Sequence, residues 1–237
     1  YRELLYFFTW RDVKVKYKQT YLGLLWALLQ PLGMMLLFTY VFSKTWKIDT
    51  GIVTYPIFVL SGLILWNLFN YSVAHAGESM IQNASIIKKI YFPRLIIPYS
   101  SVLVALVDFA IAFAIFFVLC MYFKQQVDIS AILYFPAGII VTVFAAAGLG
   151  TFLAALNVKY RDFRYAQPFL LQVLFFSSQA IYPLQSIQSE LKYLLAINPM
   201  NAAIELLRVP LTNIAPDPRI VAIGITSTLL LIIIGLF

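Results

Sequence analysis

The chain has one cysteine, one histidine and few charges: Asp, Glu, Lys and Arg together make up 11% of its 237 residues. A single thiol, Cys120, excludes a disulfide framework or a thiolate metal site within one chain. A single imidazole, His75, cannot assemble a zinc site and reads as a packing or interfacial residue. The phosphate-binding pattern G-x-x-x-x-G-K-[ST] is missing, so this chain is not expected to bind ATP in the usual way. No paired carboxylates, nucleophile–base set or metal cluster stands out, and no catalytic site or cofactor is expected.

Apolar residues are abundant instead, at 62% of the chain, where a soluble domain has roughly 45–50%. A water-soluble globule of this size could not hide so much apolar surface. In lipid only the backbone needs internal hydrogen bonds, which helices supply. Crossing takes about 20 apolar residues, and the short alternating segments of a membrane barrel are not seen. The expectation is an all-α integral membrane protein, one transmembrane domain over 1–237, with spans at 22–42, 54–76, 95–123, 131–156, 166–183 and 219–237. The first span carries Pro31 and Gly33, which membrane helices tolerate. The ends, Tyr1 and Phe237 inside an apolar run, are expected not to be the natural ones.

Residues 1–21 are too charged to cross, and they lack the apolar stretch of a cleavable signal. Their rings, followed by Arg11, Lys14 and Lys18 on one helical face, suit an N-terminal interfacial helix. The N-terminal segment and the loops after the second and fourth spans hold eleven Lys and Arg residues, against six on the opposite side. This bias puts the N-terminus in the cytoplasm, and six spans return the C-terminus there. The net charge of +7 then reflects cations at span ends beside anionic lipid, not nucleic-acid binding.

Two connecting segments stand out. In the cytoplasmic segment 77–94, Asn83–Ile90 can form a short helix ended by Phe92-Pro93. With Asn83, Ser85, Ile86, Ile87, Lys88 and Lys89 it is either a docking peg for a soluble partner or a membrane-surface loop. The external segment 184–218 holds two short helical patterns, Ser186–Ile197 and Met200–Val209, split by Asn198-Pro199. They form either a re-entrant pair or a pair lying on the outer surface.

Asp108 is the one acid deep inside a span, serving either as a structural hydrogen-bonding group or as half of a proton relay with no visible partner. On the fifth span Phe169, Gln172, Phe176 and Gln179 recur at helical spacing. The second span offers Trp66 and Asn70, and the first Gln30 and Tyr40. Amides that bond hydroxyls, interleaved with rings that stack on sugars, suit a glycan path; helix–helix glue and aromatic belts account for the same residues.

Taken in order, several stretches resemble the permeases of polysaccharide-exporting ABC transporters, the class that moves O-antigen, capsule and teichoic-acid chains. They are Trp10–Trp26 running into Gln30-Pro31, Ile87–Arg94 with Pro98, Tyr160–Arg164, Pro168–Phe176 with Ile181-Tyr-Pro183, and Asn198-Pro-Met with Glu205–Arg208. Ser177-Ser-Gln-Ala180 departs from the serine-proline step common there. The resemblance implies a homodimer in the cytoplasmic (inner) membrane, paired with two copies of a separate ATPase that binds ATP and Mg. It also implies a coupling helix near Asn83–Ile90, an interface helix near Tyr1–Thr20, and an external helix pair gating the dimer channel. The first, second and fifth spans would border that channel. The cargo would be a lipid-pyrophosphate-linked glycan, as in lipopolysaccharide biosynthesis, with Arg94, Arg161 and Arg164 as candidate headgroup ligands. The alternatives are a drug or small-lipid exporter of the same architecture, a proton-coupled carrier centred on Asp108, and a non-transporting membrane scaffold.

Overall fold

The computed structural model describes residues 1–18, 23–45, 52–160, 162–184, 187 and 189–236. The described residues are helical, with no strand among them: α1 (Arg2–Lys18), α2 (Gly23–Phe38) continued by a π-helical stretch Thr39–Thr45, α3 (Tyr55–Gln82), α4 (Ala84–Ile87), α5 (Ile96–Tyr122), α6 (Ala131–Lys159), α7 (Phe163–Phe176), α8 (Ser189–Leu195), α9 (Pro199–Thr212) and α10 (Pro218–Leu236). Arg161, residues 19–21, and residues 185 and 186 fall outside the described residues.

Four helices, α3, α5, α6 and α10, are long and apolar enough to cross a membrane. The first and fifth expected spans differ from this pattern. α2 has 16 residues and carries Pro31, and its continuation Thr39–Thr45 is wound with a wider turn. α7 has only 14 residues, a rise of about 21 Å, less than the roughly 30 Å hydrocarbon core.

Helix ends follow local chemistry. Thr54 in an extended conformation precedes α3, with proline in its first turn. Asn198 caps α9, accepting the N–H of Met200 at 3.1 Å, with Pro199 at the first helical position. Lys124 and Asn213 take positive φ, 53° and 54°, where α5 and α9 stop. The loop expected from Gly77 onward starts later: α3 stays helical to Gln82, and the helix expected at Asn83–Ile90 is the single turn of α4.

α3 is the axis of the bundle, packed by α5 and α6 along its length and by α2, α7 and α9 on its remaining faces. α10 lies across α6 and α9. Small residues set the approach: a Cβ added at Gly148 of α6 would sit 2.6 Å from the backbone of Leu231 in α10, the close contact that membrane helices use in place of a hydrophobic driving force.

α1 rests one face on the bundle and leaves most of its rings exposed. Phe8 is buried with Phe92, Ile96 and Ile97, and Lys16 and Tyr17 reach Asp108, so α1 runs beside the first half of α5. α9 is buried along most of its length against α6 and α10.

Candidate translocation groove

α2, α3 and α7 enclose an open groove of about 600 Å³. On α3 it is lined from Leu63 to Glu78, about 22 Å at 1.5 Å per residue. The helical spacing of Trp66, Asn67, Asn70 and Ala74 puts them on one face. Gln30 of α2 and Gln172 of α7 close the other walls. Five amide side chains, Gln167 among them, therefore border one cleft, and Trp66 packs on Phe175 at 5.2 Å between ring centres at its far end. Gln30, Trp66, Asn70 and Gln172, expected along a path, do come together.

The other expected lining residues do not join them. Phe169 and Phe176 point away from the groove and are 71% and 59% exposed. Tyr40 is exposed on the π-helical stretch, also off the groove wall. Gln179 is not on the α7 stripe: the helix stops at Phe176, and Gln179 turns inward to donate to the carbonyl of Asn201 at 2.6 Å.

That turn has a physical reason. A helix ending inside a bundle leaves carbonyls without partners. α9 supplies them with donors. Asn198 donates to Leu174 O, and Asn201 to Ser177 O, at 2.8 and 3.0 Å. Arg208 donates to Gln179 O at 2.7 Å, Ala180 O at 3.1 Å and, on α3, Phe58 O at 2.8 Å. Its guanidinium lies 3.5 Å from the centre of the Phe58 ring. Arg208, counted in sequence as an external cation, is 5% exposed. A Cβ on Gly62 would fall 2.7 Å from the backbone Cα and O of Ala180 and 2.9 Å from Arg208 Nη2, so the Ala180 turn lies directly on α3 only because residue 62 is glycine.

At the opposite end of the groove, Arg164 Nε meets Glu78 Oε1 at 3.0 Å. With 55% of the Arg164 side chain exposed, such a pair contributes at most about 1 kcal/mol. Above it, α7 is tied down by buried amides. Gln167 donates to Ala74 O at 3.0 Å, and Asn157 of α6 donates to Gly77 O at 2.8 Å and to Gln167 at 3.2 Å. Arg94 is exposed at the foot of α5 and is absent from the groove wall.

A second cavity of about 600 Å³ lies between α1, α3, α5 and the α4 turn, touching the groove through their shared residue His75. Here Arg11 donates to Asn83 at 3.0 Å, and Asn83 caps α3 through Ser79 O at 2.9 Å. Ile86 and Ile87, expected on a protruding peg, are half-buried in the Phe8 cluster instead. Ser85, Lys88 and Lys89 are exposed, as are Lys14 and Lys18 of α1. Deeper, Asp108 accepts hydrogen bonds from Lys16 and Tyr17. Burial, reinforced by that hydrogen bond, pushes the Tyr17 hydroxyl well above its ordinary range. The partners of Asp108 come from a helix that hydropathy leaves out of the spans, so a search for a mid-span partner misses them.

The sequence profile of the ABC-2 type transporter family matches residues 3–212. The chain belongs to that family. It is 31% identical over 202 residues to the O-antigen export system permease protein RfbA of Myxococcus xanthus, covering 84% of this chain and 76% of the relative. A Klebsiella pneumoniae protein of the same name is 26% identical over 234 residues, 99% of this chain and 90% of the relative. The polysialic acid transport protein KpsM of Escherichia coli is 23% identical over 202 residues, covering 84% and 77%. As an ABC-2 membrane protein, the chain places its amide-lined groove, the Arg208 clamp and the Arg11–Asn83 junction all within the matched region.

Proposed function

We propose that this chain is the membrane subunit of an ATP-driven exporter that moves a lipid-linked polysaccharide, of the O-antigen, capsule or teichoic-acid kind, across the inner membrane. The observation that carries the reading is the groove. Gln30, Asn67, Asn70 and Gln172 offer donors and acceptors to hydroxyls, and Trp66 a ring face, along a cleft long enough for several sugar units. The names of its relatives fit such a cargo.

In this reading α2 with its π-helical continuation, and α7 with the Asn198–Arg208 support behind it, complete six crossings with a cytoplasmic N-terminus. Two copies pair so that their grooves face one channel, and α8 and α9 close its outer end. Two ATPase subunits, holding ATP and Mg, press on the exposed face of Ser85, Lys88 and Lys89 and on Lys14 and Lys18 of α1. The Arg11–Asn83 junction makes α1 and the α4 turn move as one lever.

Cells depleted of the chain should accumulate lipid-linked glycan on the inner leaflet while the phospholipid profile stays normal. Glycan reaching the outer leaflet at the normal rate would refute the assignment; a phospholipid or drug phenotype would point to a small-lipid exporter.

A further inference from the structure

Arg164 stands in the first turn of α7 and Glu78 in the last turns of α3, both on the groove wall. Their contact uses one guanidinium nitrogen, Nε; among the described residues neither Nη of Arg164 has a hydrogen-bond partner. Glu78 does not depend on Arg164 alone, since Gln82 donates to its Oε2 at 3.1 Å. If Arg164 turned away, the carboxylate would keep a hydrogen bond and, with 32% of its side chain exposed, solvent. The helices carrying the two residues are fixed nearby by Gln167 and Asn157. An exchange at Arg164 therefore needs only side-chain rotation.

We propose that Glu78 is a resident stand-in for a phosphate: it holds Arg164 while the groove is empty and yields it to the diphosphate headgroup of the lipid-linked cargo. The inference rests on reading the groove as the cargo path and adds the device that meters entry. A diphosphate carries more negative charge than a carboxylate and can engage the two unused Nη groups in a fork that Glu78 does not form. A solvent-open ion pair resists such replacement only weakly. The displaced carboxylate lies one turn before Asn83, where Arg11 joins the α1 lever.

The test uses the purified full-length protein in detergent micelles with geranylgeranyl diphosphate as probe and geranylgeraniol as its uncharged control. E78Q should bind the diphosphate about 3–10-fold more tightly than wild type, because its competitor for Arg164 is gone. R164Q should bind about 10-fold more weakly, and E78Q/R164Q should match R164Q alone. E78A, with the same gain expected, guards against an idiosyncratic effect of the glutamine. Unchanged or weaker binding in both Glu78 variants, with R164Q still impaired, overturns the stand-in while leaving the groove reading intact. Equal binding of wild type, R164Q and the uncharged control overturns the proposal by removing Arg164 as a headgroup ligand; the groove as glycan path fails separately, if N70L and Q172L leave export unchanged.

Discussion

Arg11 Nη2 donates to Asn83 Oδ1 at 3.0 Å, joining residues 72 positions apart. The bond fastens α1 to the end of α3 just before the exposed turn Ser85–Lys89, and the Phe8–Phe92 ring contact at 5.8 Å backs it. A push on either segment reaches α3, and α3 is one wall of the groove.

Breaking this junction should uncouple the exporter without unfolding it. R11Q and N83A are each expected to lower export about 10-fold. The double variant should be no worse than either single, a coupling of about 1.4 kcal/mol in a double-mutant cycle. Export rates alongside thermal unfolding of each variant check it; additive losses would separate the two segments.

Asp108 should behave as a tie, not as a proton carrier. D108N leaves Lys16 in a half-buried site without its counter-charge, at a cost of about 1–3 kcal/mol. The combination D108N/K16M should recover part of that loss. Export by the wild type should not respond to collapse of the proton gradient when ATP is held constant. A response abolished in D108N would establish the carrier alternative.

Arg208 should resist even a conservative change. Lysine keeps the charge but cannot reach Phe58 O, Gln179 O and Ala180 O together from its single nitrogen. R208K should cost about 2–4 kcal/mol, by leaving one or two buried carbonyls unpaired. G62A should do comparable harm by pushing the Ala180 backbone, 2.7 Å from the added Cβ, away from α3 and so spoiling the carbonyl geometry that Arg208 reads. Denaturation in detergent measures both, and near-wild-type stability of R208K would mean that the three carbonyls find other donors.

The amides of the groove should matter for cargo more than for folding. N70L and Q172L remove two polar groups from an open wall, so stability should change by less than about 0.5 kcal/mol. Export should fall several-fold, and the loss should deepen in the double variant. Unchanged export would place the glycan elsewhere.

Hydropathy was sufficient for α3, α5, α6 and α10, because a long uninterrupted apolar run has few other solutions in lipid. The fifth expected span runs on through the polar Ser177-Ser-Gln179 to Ala180-Ile-Tyr182, but the helix stops at Phe176 and the chain folds back onto α9. Gln179 shows the limit of periodicity, which assumes a helix that has already ended. Lys16 and Asp108 could not be paired in sequence because α1 is too polar to be counted as a neighbour of the spans. Arg208 was legible in principle. It shares a face with Ile204 and Leu211 in a helix opened by Asn198-Pro199, and a lone cation on an apolar stripe points inward to partners. The four groove residues that did converge lie inside α2, α3 and α7, not past a helix end, so helical spacing still sets their direction.

In the proposed function this chain forms a passage, and the work comes from a separate ATPase. Reconstituting the purified protein in liposomes, with fluorescent lipid-linked glycan on one face, tests this directly. The expected result is no translocation from the chain alone, and translocation on adding the ATPase subunit with ATP and Mg. Full-rate translocation by the chain alone would contradict it.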